Sequence, residues 1–185
     1  VDFVKEEFFV FSPSGIFKNN KLLIKPSEKW AKIRGLKIFA GNIYLLDTGA
    51  SQIWKYQGTD FGFAEISPYL KAGGVDFTYV TSFAIDGSIY VLSSSGNIVR
   101  FTGGLSEEFK TIGLEVPFKN PTSIFTSDET KNIYVLDSGN SRVVILDKSG
   151  NYVAQYVLPK IDTNLILADE SVKKVFLLSG SKVFS

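Results

Sequence analysis

Neither cysteine, histidine nor methionine occurs anywhere in this chain of 185 residues. Without cysteine there is no disulfide scaffold, no thiol chemistry and no thiolate metal site. Without histidine the commonest general base, the commonest zinc ligand and the usual switch near neutral pH are missing. No stretch approaches the roughly eighteen uninterrupted apolar residues of a membrane-spanning helix. The formal net charge is +1, too small to point to nucleic acid as a main partner. The lack of methionine, and the charges at Asp2, Lys5, Glu6 and Glu7 that break any leader-like run, give the expectation of a domain from a longer protein.

What is present is apolar, aromatic and rich in turn formers. The hydrophobic share is 44%, enough for one well-cored domain at this length. Sixteen Phe and eight Tyr suit a pleated surface, and sixteen Gly supply turns. Charge is uneven. Residues 1–37 carry eight Lys/Arg against four Asp/Glu, whereas residues 38–130 carry five against ten.

The segment Asn132 to Tyr156 shows the organisation. Ile133–Leu136 and Val143–Leu146 are apolar, β-branched runs separated by Asp137-Ser138-Gly139-Asn140-Ser141. Lys148-Ser149-Gly150-Asn151 then leads into Tyr152–Val157. Apolar runs between Gly/Asn/Asp/Ser clusters read as an antiparallel meander. The pattern Ile-Tyr-hydrophobic-Leu recurs at Ile43, Ile89 and Ile133, and as Val-Phe-Leu-Leu at Val175, at intervals of 46, 44 and 42 residues. Each copy ends in Asp or Ser (Asp47, Ser93, Asp137, Ser179) and returns as a further strand. Small apolar inner strands precede the copies at 36–40, 82–86, 123–126 and 165–168. Outer strands of mixed charge and aromatic character follow at 63–66, 108–112 and 152–157.

Four strands in a period of 42–46 residues predict an all-β fold, a β-propeller of four-stranded antiparallel blades. The single domain 1–185 divides into a partial blade at 8–24, blades at about 33–66, 80–112 and 122–157, and a partial blade at 164–185. Phe8–Gly15 aligns with Val143–Gly150, so residues 8–24 are expected to be the third and fourth strands of a blade. The expected ring is either incomplete or closed by its terminal strands. Unpaired terminal strands imply either closure by pairing Phe8–Phe11 or Lys21–Ile24 with the Val183 strand, or self-association through these terminal strands.

Residues 133–150, IYVLDSGNSRVVILDKSG, resemble the repeat of NHL-type propellers through Asp137, Gly139, Asn140, Arg142 and Gly150. The copy at 43–56 keeps Asp47 and Gly49 but has Gln52 in place of the arginine; the copies at 89 and 175 lose the aspartate. The resemblance implies a binding or sensing module. It also implies the bacterial setting in which similar propellers are appended to serine/threonine kinases or 2C-class phosphatases, usually beyond a membrane helix. That setting is an extracytoplasmic domain of a membrane-anchored protein.

Chemistry-bearing constellations are few. Asp137 and Arg142 lie five apart across a tight turn and read as a structural pair, with Asp47 repeating the feature. Tyr44, Tyr90 and Tyr134 sit at one position per repeat and read as core. No D-x-D-x-D-G calcium spacing, phosphate loop or G-x-S-x-G elbow occurs, so no catalytic residue, metal site or cofactor is expected. The inter-blade loops offer binding-face candidates of the aromatic and basic types that favour interfaces: Trp30, Arg34, Tyr69, Lys71, Tyr79, Phe118, Lys119 and Lys160. The expectation is a non-catalytic binding or sensor module for a protein or small ligand, not an enzyme. The alternatives are a propeller hydrolase or lyase with an axial metal held by acids such as Asp86 and Asp169, or a structural spacer.

Overall fold

The computed structural model describes residues 2–4, 7–71, 75–159 and 162–185. Regular structure among them is entirely β, apart from one 3-10 turn at Ser138–Asn140. No helix among the described residues is long and apolar enough to cross a membrane. The first sheet holds β1 (Asp2–Val4), β2 (Glu7–Ser12), β3 (Gly15–Lys18) and β4 (Lys21–Ile24) in that order. The second holds β5 (Ile33–Phe39), β6 (Asn42–Asp47) and β7 (Gln52–Tyr56). A separate hairpin of β8 (Gly58–Thr59) and β9 (Gly62–Phe63) comes before its outer strand, β10 (Ser67–Pro68). The third is β11 (Val80–Ile85), β12 (Ile89–Ser93), β13 (Ile98–Thr102) and β14 (Leu105–Glu107). The fourth is β15 (Ser123–Phe125), β16 (Asn132–Asp137), β17 (Arg142–Asp147) and β18 (Tyr152–Val157). The fifth has three strands, β19 (Leu165–Asp169), β20 (Lys174–Ser179) and β21 (Lys182–Phe184). The fold is all-β, a succession of up-and-down sheets that are the blades of a β-propeller.

The chain divides into two compact units, Val1–Thr78 with Gly103–Leu105, and Tyr79–Thr102 with Ser106–Ser185. In the first, Phe9 and Ile16 of the first sheet pack with Leu36, Ile43, Leu45 and Tyr56 of the second. Asp2 ties the two sheets: its Oδ2 accepts the Ile38 amide at 2.6 Å. In the second unit β16 and β17 of the fourth sheet are buried on both faces. Ile133, Val135, Val144 and Leu146 face the third sheet, while Tyr134, Leu136, Val143 and Ile145 face the fifth. Side chains alternate across a strand. A sheet covered on both sides therefore reads as a continuous apolar run, which is why β16 and β17 stand out in the sequence. Burying each of these large side chains stabilises the unit by roughly 1.5–3 kcal/mol.

Three strand expectations need correction. Residues 8–24 are not a third and fourth strand alone. Asp2–Val4 pairs with Glu7–Ser12, so the first sheet has four strands and β2 lies second in it. Charged neighbours hid β1 in the sequence, and the β2 pattern resembles β17 because both are flanked by strands. The outer strand of the second sheet is at 67–68 instead of 63–66, because the hairpin β8–β9 takes up the intervening chain. The outer strand of the third is at 105–107 instead of 108–112. Gly103 and Gly104, with φ of +57° and +85°, turn the chain back at once. Phe109 is thereby released from the edge and fills the core beside Tyr90, with ring centroids 5.5 Å apart.

Candidate functional site

Asp137 ends β16 and Arg142 begins β17, facing each other across the 3-10 turn. The Arg142 Nε donates to Asp137 Oδ2 at 2.7 Å, and Asn140 Nδ2 donates to the same oxygen at 2.8 Å. The other oxygen, Oδ1, accepts the backbone amide of Lys119 at 2.7 Å. Arg142 Nη2 reaches the carbonyls of Val116 (2.6 Å) and Pro117 (3.3 Å), and Nη1 reaches Gln155 Oε1 (2.9 Å). Gly139 donates its amide to the Lys119 carbonyl at 2.8 Å. The buried pair therefore fastens residues 116–119, the loop that leads into β15. Gly139 permits this approach, since a β-carbon there would stand 2.2 Å from the Lys119 oxygen.

Asp47 does the same in the second sheet with neutral donors. Its carboxylate accepts the amides of Ala31 (2.9 Å), Lys32 (2.8 Å), Gly49 (3.0 Å) and Ala50 (3.1 Å), and the indole N–H of Trp54 (2.9 Å). Burial alone would push its pKa up. The hydrogen bonds from Ala31, Lys32, Trp54 and Ala50 outweigh burial and hold it below the ordinary aspartate value. Gln52, standing where the other copy has arginine, accepts the amides of Ile53 and Leu70 instead.

Three inter-blade loops are held in a related way, two of them by these aspartate clamps. A residue after the second strand donates its amide to one loop carbonyl: Thr48, one past β6, to Lys32; Ser94, one past β12, to Tyr79; and Gly139, two past β16, to Lys119. Each of those three loop residues turns an exposed side chain outward, Tyr79 with 71% of its surface free. The carbonyl is held and the side chain is displayed. Within the second unit, Tyr79 and Lys119 precede β11 and β15, which are neighbours. Lys32 is inconspicuous in the sequence, where Trp30 two residues earlier dominates the segment. Its signal is its place immediately before the inner strand.

The other candidates divide by burial. Trp30 packs edge-on against Phe11, with centroids 5.3 Å apart, in the core of the first unit. Phe118 packs on the core beneath it and against Gly96, where φ is +90° and a β-carbon would meet Phe118 Cβ at 2.5 Å. Tyr69 is half-buried against Tyr44, and burial pushes its hydroxyl pKa up. Lys71 is exposed, its amide held by the Gly104 carbonyl. Arg34 is exposed where β5 bulges opposite β6. Lys160 lies outside the described residues. Tyr44, Tyr90 and Tyr134 are buried.

At the other end of the fourth sheet, carboxylates tie blades together. Glu170 accepts the amides of Lys131 and Asn132, the Asn132 side-chain N–H and the Tyr134 hydroxyl (3.1 Å). Burial first, then the Glu170 hydrogen bond and charge, push Tyr134 up to about 12. Lys148 pairs with Asp86 and also reaches Thr126 Oγ1 and the Ser127 carbonyl. Among the described residues no three acidic side chains gather in a way suited to a metal ion.

Repeat, strand order and sheet packing define the class, a β-propeller. The backbone is similar to a gluconolactonase from Xanthomonas campestris (TM-score 0.65, 12% identity, 92% of this chain and 64% of that one). It is similar to a catalytically inactive virginiamycin B lyase from Staphylococcus aureus with quinupristin (0.53, 18%, 91% and 58%). It is also similar to BamB from Moraxella catarrhalis (0.58, 14%, 96% and 52%). The chain spans about half to two thirds of the length of these structures. No protein-family profile matches the chain, and no curated protein matches it by sequence. At such identities the likeness shows the fold alone.

One expectation is overturned here. The expectation that the chain is not an enzyme does not stand, because its fold neighbours include a lactonase and a lyase. That expectation rests on the NHL-type resemblance, the missing histidine and the lack of catalytic motifs, and none of these excludes chemistry on this fold. Propeller chemistry does not depend on histidine alone, because carboxylates, tyrosines and lysines also move protons.

Proposed function

We propose that the chain is the recognition part of a larger β-propeller protein of the NHL-like kind, binding a partner with an anionic group through its inter-blade loops. The observation that supports this is the repeated clamp. A buried aspartate holds the loop backbone at Lys32 and at Lys119, a backbone hydrogen bond from Ser94 holds it at Tyr79, and all three side chains are exposed. Pre-ordering a loop lowers the entropy lost on binding. A lysine beside a tyrosine suits a carboxylate or phosphate, the cation by charge and the phenol by hydrogen bonding.

A photo-crosslinking residue at Tyr79, compared with one at Thr102 at the opposite end of the same sheet, tests the reading. A discrete adduct from Tyr79 alone, lost in Lys119→Glu, is expected. Equal labelling at both positions, or an adduct indifferent to Lys119→Glu, would overturn it. Lactone-hydrolysis and lyase assays on the captured molecule then ask whether recognition is followed by chemistry.

A further inference from the structure

A second surface, remote from the clamped loops in sequence, lies along β18. An outer strand presents unpaired backbone groups, and natural proteins blunt such edges with brevity, charge or proline. The other outer strands do so. β10 has two residues including Pro68, β14 has three with Glu107 ion-paired to Arg100, and β4 begins with Lys21. β18 has six residues, Tyr-Val-Ala-Gln-Tyr-Val, without charge, proline or glycine. Val153, Tyr156 and Val157 are 52%, 53% and 79% exposed.

Two further observations say what fits there. The start of this edge already carries a strand-like guest. Tyr152 donates its amide to the Ile112 carbonyl at 2.8 Å, and Ile112 donates to Gly150 at 2.9 Å. The edge is thus competent for backbone pairing, and among the described residues nothing but β17 pairs with the rest of β18. Beside Tyr156 opens a groove of about 290 Å³ with an apolar floor of Val143, Leu158, Val175 and Leu177. A cavity of roughly 150 Å³ holds a benzene ring, so the groove takes a large apolar side chain. Lys173 and Lys174 line the same groove, are exposed, and have no carboxylate partner among the described ion pairs.

We propose that β18 and this groove accept an extended segment of a partner protein as an added strand. One large apolar side chain of the segment enters the groove, and an acidic side chain meets Lys173 and Lys174. Main-chain hydrogen bonds supply affinity and the groove supplies selectivity, the division of labour in strand addition. Neither Tyr79 nor Lys119 lines the groove.

The test uses fluorescein-labelled synthetic peptides with the whole 185-residue chain, read by anisotropy. An alternating apolar peptide ending in two aspartates should bind. Its lysine-ended counterpart and a form with alternate backbone nitrogens methylated should not. The double variant Lys173→Glu/Lys174→Glu, at exposed positions, should weaken the acidic peptide by about tenfold, the size expected from reversing two surface charges. It should also begin to bind the lysine-ended peptide. Sedimentation of Val153→Lys beside wild type provides the second measurement. Absence of peptide binding, binding indifferent to methylation and to both charge reversals, or a wild-type dimer abolished by Val153→Lys would each overturn the proposal. The last result would assign the edge to a second copy.

Discussion

Arg142 Nε lies 2.7 Å from Asp137 Oδ2, with side chains only 7% and 0% exposed. Bringing two charges out of water costs several kcal/mol per ion, and mutual attraction alone seldom recovers it. Here every remaining lobe of the guanidinium is used, on Gln155 and on the Val116 and Pro117 carbonyls, and the second carboxylate oxygen holds Lys119. The pair places a loop more than it adds net stability.

Asp137→Ala should therefore be severe, because it leaves a buried cation uncompensated and a loop amide unheld. A loss of about 3–5 kcal/mol is expected in urea unfolding. Arg142→Met added to Asp137→Ala should cost less than the sum of the single changes, since the double variant leaves no lone charge.

Asp47 predicts an acid limit. Its folded pKa lies below the ordinary value, so the charged form is favoured in the folded chain. The stability it contributes is present above the unfolded pKa of about 3.9 and is lost as pH falls through the lower folded value. Thermal unfolding of Asp47→Asn should fall well below wild type at neutral pH, and the gap should narrow as the solution is acidified through that range. A gap that is constant with pH would refute the charge-based account.

Tyr134 predicts an alkaline limit of opposite sign. Its folded pKa is raised to about 12, so the neutral hydroxyl is favoured in the folded chain. That contribution is complete below the unfolded value of about 10 and disappears as pH rises toward the folded one. Tyrosinate absorbance should show one group titrating near the upper value, absent in Tyr134→Phe. The variant should also lose less stability than wild type between those two pH values.

Two glycines separate steric from conformational cost. A β-carbon at Gly139 would strike the Lys119 carbonyl, so Gly139→Ala should cost about 1–3 kcal/mol by overpacking. Gly41 has open space but φ of +75°, so Gly41→Ala should cost about 1–2 kcal/mol from the left-handed backbone alone. Melting temperatures should fall in both. Amide exchange at Lys119 and Gly139 should quicken only in the first.

Much of the fold was legible in the chain. The inner strands expected at 36–40, 82–86, 123–126 and 165–168 lie at 33–39, 80–85, 123–125 and 165–169. The pattern failed at the outer strands of the second and third sheets. There the strands are short and polar, and turn geometry at Gly58–Phe63 and Gly103–Gly104 decides where the chain returns. Of the residues expected on a binding face, Arg34, Lys71, Tyr79 and Lys119 are exposed, whereas Trp30 and Phe118 pack on the cores of their units.

By itself the sequence determined the inner strands of the repeats, their antiparallel succession, the repeat of 42–46 residues and the acids at its turns. Alternation and turn chemistry act between near neighbours and are written in short stretches. Only the tertiary structure decided what those acids hold. Asp137 reaches back 18 residues to Lys119, Asp47 reaches back 15 to Lys32, and Asp2 reaches forward 36 to Ile38. The same is true of the groove beside Tyr156, whose walls come from separate sheets. A backbone amide looks the same in every residue, so the choice of amide a carboxylate captures depends on which loop packing brings within reach.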